Sequence, residues 1–128
     1  MSSSRQPIHT DQAPAAIGPY SQAVRTGDLV FLSGQIPLDP ASMEMVDGDI
    51  DQQIRQVLDN LSAVARASGR SLDHLVRVTV YLIDLGNFAR VNALMEEYFT
   101  APYPARAAVG VSALPKGAQV EMDAILAL

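Results

Sequence analysis

The stretch DIDQQIRQVLDNLSAVARASG, residues 49–69, and the stretch LVRVTVYLI, residues 75–83, decide the fold class. In the first, Ile50, Ile54, Val57, Leu58, Leu61, Val64 and Ala65 recur every three or four residues, the spacing that lines one side of an α-helix. Asp49 stands where a helix cap belongs and Gly69 where a helix stops, so the pattern predicts a helix from Asp49 to about Ser68. In the second, Val76, Val78, Val80 and Leu82 alternate with Arg77, Thr79 and Tyr81, the period of a strand with one buried face. A helix and a strand that each carry one apolar side bury both sides most simply as a helix layer on a sheet.

Outward from this pair, Ala23-Val24-Arg25 and Leu29 to Gln35 flank Thr26-Gly27-Asp28 and predict a hairpin. The residues before it carry Pro7, Pro14 and Pro19 and read as mostly extended coil, and Asp39 to Gly48 reads as a polar loop. On the other side, Asp84 or Asn87 caps a second helix bearing Phe88, Val91, Leu94, Met95, Tyr98 and Phe99, which Pro102 and Pro104 end. Ala105–Val111 and Gln119–Leu126 complete a ββ-α-β-α-ββ order. The expectation is an α+β fold of one domain, residues 1–128: a single sheet layer with two helices on one face. The opposite face is assigned Arg77, Thr79, Tyr81, Ala108, Gly110, Ile125 and Ala127. These are too small and apolar for a fully wetted surface, so that face is expected to pack on another subunit in a closed ring. A half-solvated monomeric sheet is the alternative.

Composition removes whole classes of function. The 128 residues include no cysteine, which excludes disulfides, thiolate nucleophiles and cysteine-ligated metals, and two histidines cannot build a histidine-rich metal site. A net charge of −5 without a basic stripe argues against a nucleic-acid partner. No run approaches the ~18–20 apolar residues of a membrane span, and Met1 to Pro7 lacks an apolar signal core, so the expected location is the cytoplasm.

The remaining reactive inventory is small. His9 lies near the start and His74 at a strand entry, where structural roles are commoner than catalytic ones. Asp47, Asp49 and Asp51 straddle a helix start and read as dipole-complementing and capping residues rather than a cation site. Gly34, Gly48 and Gly69 form no phosphate loop, whereas Gly18-Pro19-Tyr20-Ser21-Gln22 and Ser33-Gly34-Gln35 place hydroxyls and backbone amides beside bends. Arg106 starts a strand of very small residues and must face water, a carboxylate or an anionic ligand. Glu121 and Asp123 share a face of the last strand, and spacing alone favours an Arg106–Glu121 ion pair across neighbouring strands over a ligand role.

Several separate motifs, in order, resemble the Rid family, also called the YjgF or reactive-intermediate deaminase family. They are Ala13 to Ala23, Leu32-Ser33-Gly34-Gln35-Ile36-Pro37, Asp59-Asn60-Leu61, Val78 to Leu82, Phe88-Ala89-Arg90-Val91-Asn92, Pro104-Ala105-Arg106, and Leu114-Pro115 leading to Val120-Glu121-Met122. The resemblance implies a chorismate-mutase-like homotrimer with sites between subunits. It also implies a hydrolase acting on C=N bonds: 2-iminobutanoate and 2-iminopropanoate become 2-oxo acids and ammonia, with no cofactor and no metal. By the same resemblance Arg106 is the carboxylate-binding residue and Glu121 the acid that handles water. Tyr20, Ser33 and Asn92 line or support the pocket, Gly34 lies where backbone nears the ligand, and Ala108 contributes through backbone. The chain departs from many members at Ala107 and Ala108, where Ser or Thr and then often Cys stand, and its Phe99–Pro104 segment is shorter than in some. Rival expectations are a Rid hydrolase for a different imine and a non-catalytic trimeric ligand-binding module. Ribonuclease action is disfavoured by the acidic charge.

Overall fold

A computed structural model describes residues 4–128; Met1, Ser2 and Ser3, part of the stretch read above for targeting, lie outside the described residues. The elements are β1 (Gln6–Ile8), β2 (Ala23–Thr26), β3 (Leu29–Gln35), α1 (Ile50–Ala67), β4 (Leu75–Leu82), α2 (Phe88–Tyr98), β5 (Ala105–Gly110) and β6 (Val120–Ala127). They form one mixed six-stranded sheet in the order β1-β2-β3-β6-β4-β5, antiparallel except for the parallel β4–β5 pair. Both helices cover the same face. The expected α+β architecture is therefore present, with β1 added where the proline-rich start read as coil.

The apolar stripe of α1 is the centre of the core. Ile54, Leu58 and Leu61 lie fully buried against Val78, Val80 and Leu82 of β4, Met122 and Leu126 of β6, and Val91 and Leu94 of α2. Asp49 starts α1 by a reciprocal capping box: its carboxylate accepts from Gln52 N–H at 3.0 Å, and its own N–H donates to the Gln52 side chain at 3.0 Å. Asp51, in the first turn, is taken by Arg90 of α2 through two contacts of 2.6 and 2.8 Å, so Asp49 and Asp51 of the acidic trio serve the helix start and its seam with α2. Arg55–Glu97 at 2.8 Å and Tyr98 to Asp59 at 2.8 Å add to this seam. Such exposed pairs add little stability; the buried Val91, Leu94 and Met95 fix which side of α2 faces the sheet.

Two buried amides pin the loops. Asn60, 1% exposed, donates to the carbonyl of Leu38 at 3.0 Å and ties the loop after β3 to α1. Gln22, 2% exposed, accepts from Thr10 N–H at 2.7 Å and donates to the carbonyl of Pro14 at 2.8 Å, which holds the segment before β2 against the sheet. His74 closes a small capping box with Ser71 in a 3₁₀ turn, a structural role as expected.

The structure corrects three expectations. The register between β4 and β6 shifts between Leu75 and Arg77, so Leu75 is buried and Val76 is 46% exposed, and the alternation starts at Val78. Ala108 aligns with Val80 and Gly110 with Leu82, which puts both on the helix side; Ala107 and Val109 take the open face beside Thr79 and Tyr81. The Arg106–Glu121 ion pair does not exist, because β4 lies between their strands. The uncovered face is apolar on the β3 side, where Phe31 (45% exposed) stands beside Ile125 with Leu29 on the same strand, and polar toward β4, where Arg77, Glu121 and Asp123 project; Val109 lies at its far edge on β5.

Candidate functional site

Arg106 rises from the helix side of β5, where its alignment with Val78 points it at α2. Its Nη1 donates to Asn92 Oδ1 at 2.6 Å and lies 3.6 Å from Met95 Sδ, while its guanidinium carbon stands 4.7 Å from the centre of the Phe88 ring. Phe88, Asn92 and Met95 are four and three residues apart on α2 and so share one stripe facing β5. The cation–π contact is worth ~0.5–1 kcal/mol at an exposed position, enough to favour one orientation of the guanidinium plane. The small residues after Arg106 leave an open cleft of about 370 Å³ beside it, bounded by Asn92, Met95, Tyr103 and Pro104. Among the described residues, no side chain occupies the remaining edge of its fork of donors.

Glu121 leaves the opposite face of the sheet. The alternation of β6 buries Val120 and Met122 beneath the helices and turns Glu121 and Asp123 away from them. A second cleft of about 560 Å³ opens there, walled by Tyr20, Ser33, Gly34 and Glu121 with Ile17 and Met43 at its rim. The register of β3 on β6 shifts between Leu32 and Gln35, and this irregularity brings the Gly34 backbone against the carboxylate. A Cβ at Gly34 would stand 2.3 Å from Glu121 Oε2, so only glycine leaves the carboxylate its place. Ser33 donates its hydroxyl to the carbonyl of Ser21 at 2.6 Å, locking the two walls of the cleft together and keeping its oxygen free to accept. Burial, and secondarily the charge of Asp123, raises the Glu121 pKa above the ordinary value of about 4.5. The neighbouring Tyr81 donates to Asp123 at 2.8 Å.

The residues singled out in the sequence therefore fall into two groups. Tyr20, Ser33, Gly34 and Glu121 share one cleft, Arg106 and Asn92 share another, and Ala108 lines neither, since it packs against the core on the helix side. Within one chain the groups lie on opposite faces of the sheet. Two strand spacings and three residues along the strand separate their backbones by roughly 10 Å in each direction.

The sequence profile described as Endoribonuclease L-PSP matches residues 10–128. The chain belongs to this family, the YjgF/Rid proteins. Among Rid relatives, Protein DfrA of Myxococcus xanthus is 61% identical over 123 residues, covering 94% of each chain. The human protein named 2-iminobutanoate/2-iminopropanoate deaminase is 42% identical, covering 94% of this chain and 88% of its own. The crystal structure of RidA from Psychrobacter sp. PAMC 21119 superposes with a TM-score of 0.92 at 48% identity, covering 96% of this chain and 99% of the other. Sequence reasoning missed the part played by Phe88 in this Rid chain. Its signal was the four-residue spacing to Asn92, which places both on one helix face, but no sequence rule says that this face meets a strand ending in arginine.

Gly34→Ala tests the close approach at Glu121. The clash falls on the far end of a flexible side chain, so the variant is expected to unfold in urea within about 1 kcal/mol of the parent, near the size of ordinary surface changes. The added methyl displaces the Glu121 carboxylate, and in the role proposed for Glu121 below kcat is expected to fall at least about tenfold, the cost of misplacing a proton-transfer group. A variant of equal stability and equal kcat would show that the approach has no functional weight.

Proposed function

We propose that the protein is a 2-iminobutanoate/2-iminopropanoate deaminase, a hydrolase that turns reactive 2-imino acids into 2-oxo acids and ammonia. In this reading it works as a homotrimer of single-domain chains, in which Arg106 of one chain and Glu121 of its neighbour meet on one substrate. The observation that carries the reading is Arg106 itself: a permanent cation held along one edge by Asn92, braced by Phe88, and open along the other edge to a cleft. Relatives at 42–45% identity bear the deaminase name, and the Escherichia coli relative TdcF, 39% identical with a TM-score of 0.88, is described with bound serine, a small carboxylate. The apolar β3 side of the open sheet face supplies a reason for chains to associate.

The chemistry follows from the two groups. Arg106 grips the substrate carboxylate through charge-assisted hydrogen bonds, each worth ~1.5–3 kcal/mol, and so holds the adjacent C=N carbon in place. A water hydrogen-bonded to Glu121 attacks that carbon; Glu121 takes the water proton, and the imine nitrogen takes a proton from solvent to give a carbinolamine. The C–N bond then breaks as Glu121 hands its proton to the departing ammonia, and the hydroxyl oxygen releases its proton to solvent and becomes the ketone. A carboxylate whose pKa is raised by burial suits a group that must accept and return one proton in each turnover. Tyr20 and Ser33 border the reacting atoms, the Gly34 backbone keeps Glu121 in place, and the Ala108 backbone stays behind Arg106 on its strand. No cofactor enters this scheme.

The assay generates 2-iminopropanoate and 2-iminobutanoate in place with an amino-acid oxidase and traps them with semicarbazide. The protein is expected to compete with trapping, and no change in trapping overturns the deaminase reading in favour of a different imine or a binding module. Arg106→Lys keeps the charge but loses the planar fork, and kcat/KM is expected to fall by about 10- to 100-fold, as one strong hydrogen bond predicts. Near-parental turnover would remove Arg106 from the reaction.

The pH dependence tests Glu121 separately. As a base it works only when ionised, so kcat/KM is expected to fall as pH is lowered through a midpoint above the ordinary value of about 4.5. Glu121→Gln is expected to abolish that limb together with most turnover. A midpoint at or below the ordinary value would contradict the role given to burial.

A further inference from the structure

The Glu121 cleft has a cation of its own. Of the side chains lining it, two carry charge: Glu121 and Lys116, which is the sole lysine of the chain. Lys116 lies in the 3₁₀ turn Pro115–Gly117 between β5 and β6, with φ 56° and ψ 23°, the left-handed region that non-glycine residues seldom occupy. The turn is tied on both sides of it, Gly117 N–H to the Leu114 carbonyl at 3.3 Å and Ala118 N–H to the Pro115 carbonyl at 3.1 Å, and Ala118 is 1% exposed. Its backbone is thus held in a strained conformation at a site-lining position, while its ammonium is exposed and has no ion pair or hydrogen bond among the described residues. Strain of this kind persists only where the surroundings over-determine it, and it concentrates at ligand-contacting positions.

The charge balance gives that position a task. The chain carries a net charge of −5, and the cleft holds a carboxylate that must stay close to the reacting carbon. A monocarboxylate substrate is therefore repelled at long range by the molecule and at short range by Glu121. Arg106 cannot offset this from within the same chain, because it faces the other side of the sheet. Asp123 also projects from the open face and is engaged by Tyr81, and the remaining cation of that face, Arg77, stands on β4 outside the residues lining the cleft.

Resting on the deaminase reading, we propose that Lys116 is the substrate-receiving cation: it concentrates a small monocarboxylate anion at the mouth of the Glu121 cleft before Arg106 grips it, and so governs capture rather than the chemical step. A unit charge some 5–7 Å from a carboxylate at a wet protein surface alters its local concentration by about three- to tenfold, and salt screens this over about 8–10 Å at physiological strength.

Lys116→Asn is the informative variant, since asparagine tolerates a positive φ and removes the charge. At low ionic strength its kcat/KM is expected to be about three- to tenfold below the parent with kcat within about twofold. Its dependence on added sodium chloride is expected to be flatter than the parent's, and Lys116→Arg is expected to restore both the value and the slope. A fall confined to kcat, or parental kcat/KM and salt response in Lys116→Asn, overturns the proposal. Titration of both proteins with 2-oxobutanoate separates this from the deaminase reading. A parent without turnover overturns that reading alone, whereas equal 2-oxobutanoate affinity and salt response in parent and variant overturn Lys116 as the receiving cation. Weaker, less salt-sensitive binding in the variant supports it.

Discussion

A guanidinium on one face of a β-sheet and a carboxylate on the other cannot both touch a ligand of half a dozen heavy atoms. Arg106 and Glu121 are so placed, with β4 between their strands, and the proposed site is organised around that separation. On the helix side, α2 offers Phe88, Asn92 and Met95 as a three-sided support that leaves one edge of the guanidinium available. On the far side, an irregularity in β3 brings glycine backbone against the acid, and the loops held by Gln22 and Asn60 build walls around it. Each half is well formed and incomplete. The proposed trimer resolves this by bringing the Arg106 half of one chain to the Glu121 half of the next, across the same sheet face whose apolar β3 side would otherwise meet water.

The division also explains how stability and function are distributed. The core under the helices contains the aliphatic residues of α1, β4 and β6 and, among the described residues, no ionisable side chain. The charged groups of the proposed site stand at two rims where burial is partial. Glu121 is half-buried, which raises its pKa and makes its ionised form less comfortable than in water. That is a local cost at the position proposed to handle protons, on a strand whose alternate residues are among the best packed in the molecule.

Much of the fold was legible because the signals were periodic. The stripe of α1, the cap at Asp49 and the hairpin around Gly27 appear where the spacing puts them. What periodicity could not reach was register. A single irregularity between Leu75 and Arg77 turned Val76 outward, and the parallel alignment of β5 with β4 sent Ala108 and Gly110 to the helix side, because strand alternation alone does not say on which face a strand begins. The candidate residues were picked out by the chemistry of arginine and glutamate and by family motifs, yet their separation on the sheet depends on strand order. The sequence suggested neighbouring strands; the actual order inserts β4 and removes the simplest structural use for both side chains. Phe88 and Lys116 escaped for a related reason. One is an ordinary core-like aromatic until its helix is seen over Arg106, and the other an ordinary turn lysine until its turn is seen at the cleft.

The sharing of one site between chains is tested most directly by mixing two inactive variants. Arg106→Ala and Glu121→Ala are each purified, then refolded together in equal amounts so that trimers form at random. A site composed across the seam is intact when its arginine comes from a Glu121→Ala chain and its acid from an Arg106→Ala chain, so the mixture is predicted to recover about a quarter of parental imine hydrolysis, as random pairing in a closed ring requires. If the mixture hydrolyses imine no faster than the sum of the two variants alone, Arg106 and Glu121 do not meet across chains, and the account is wrong.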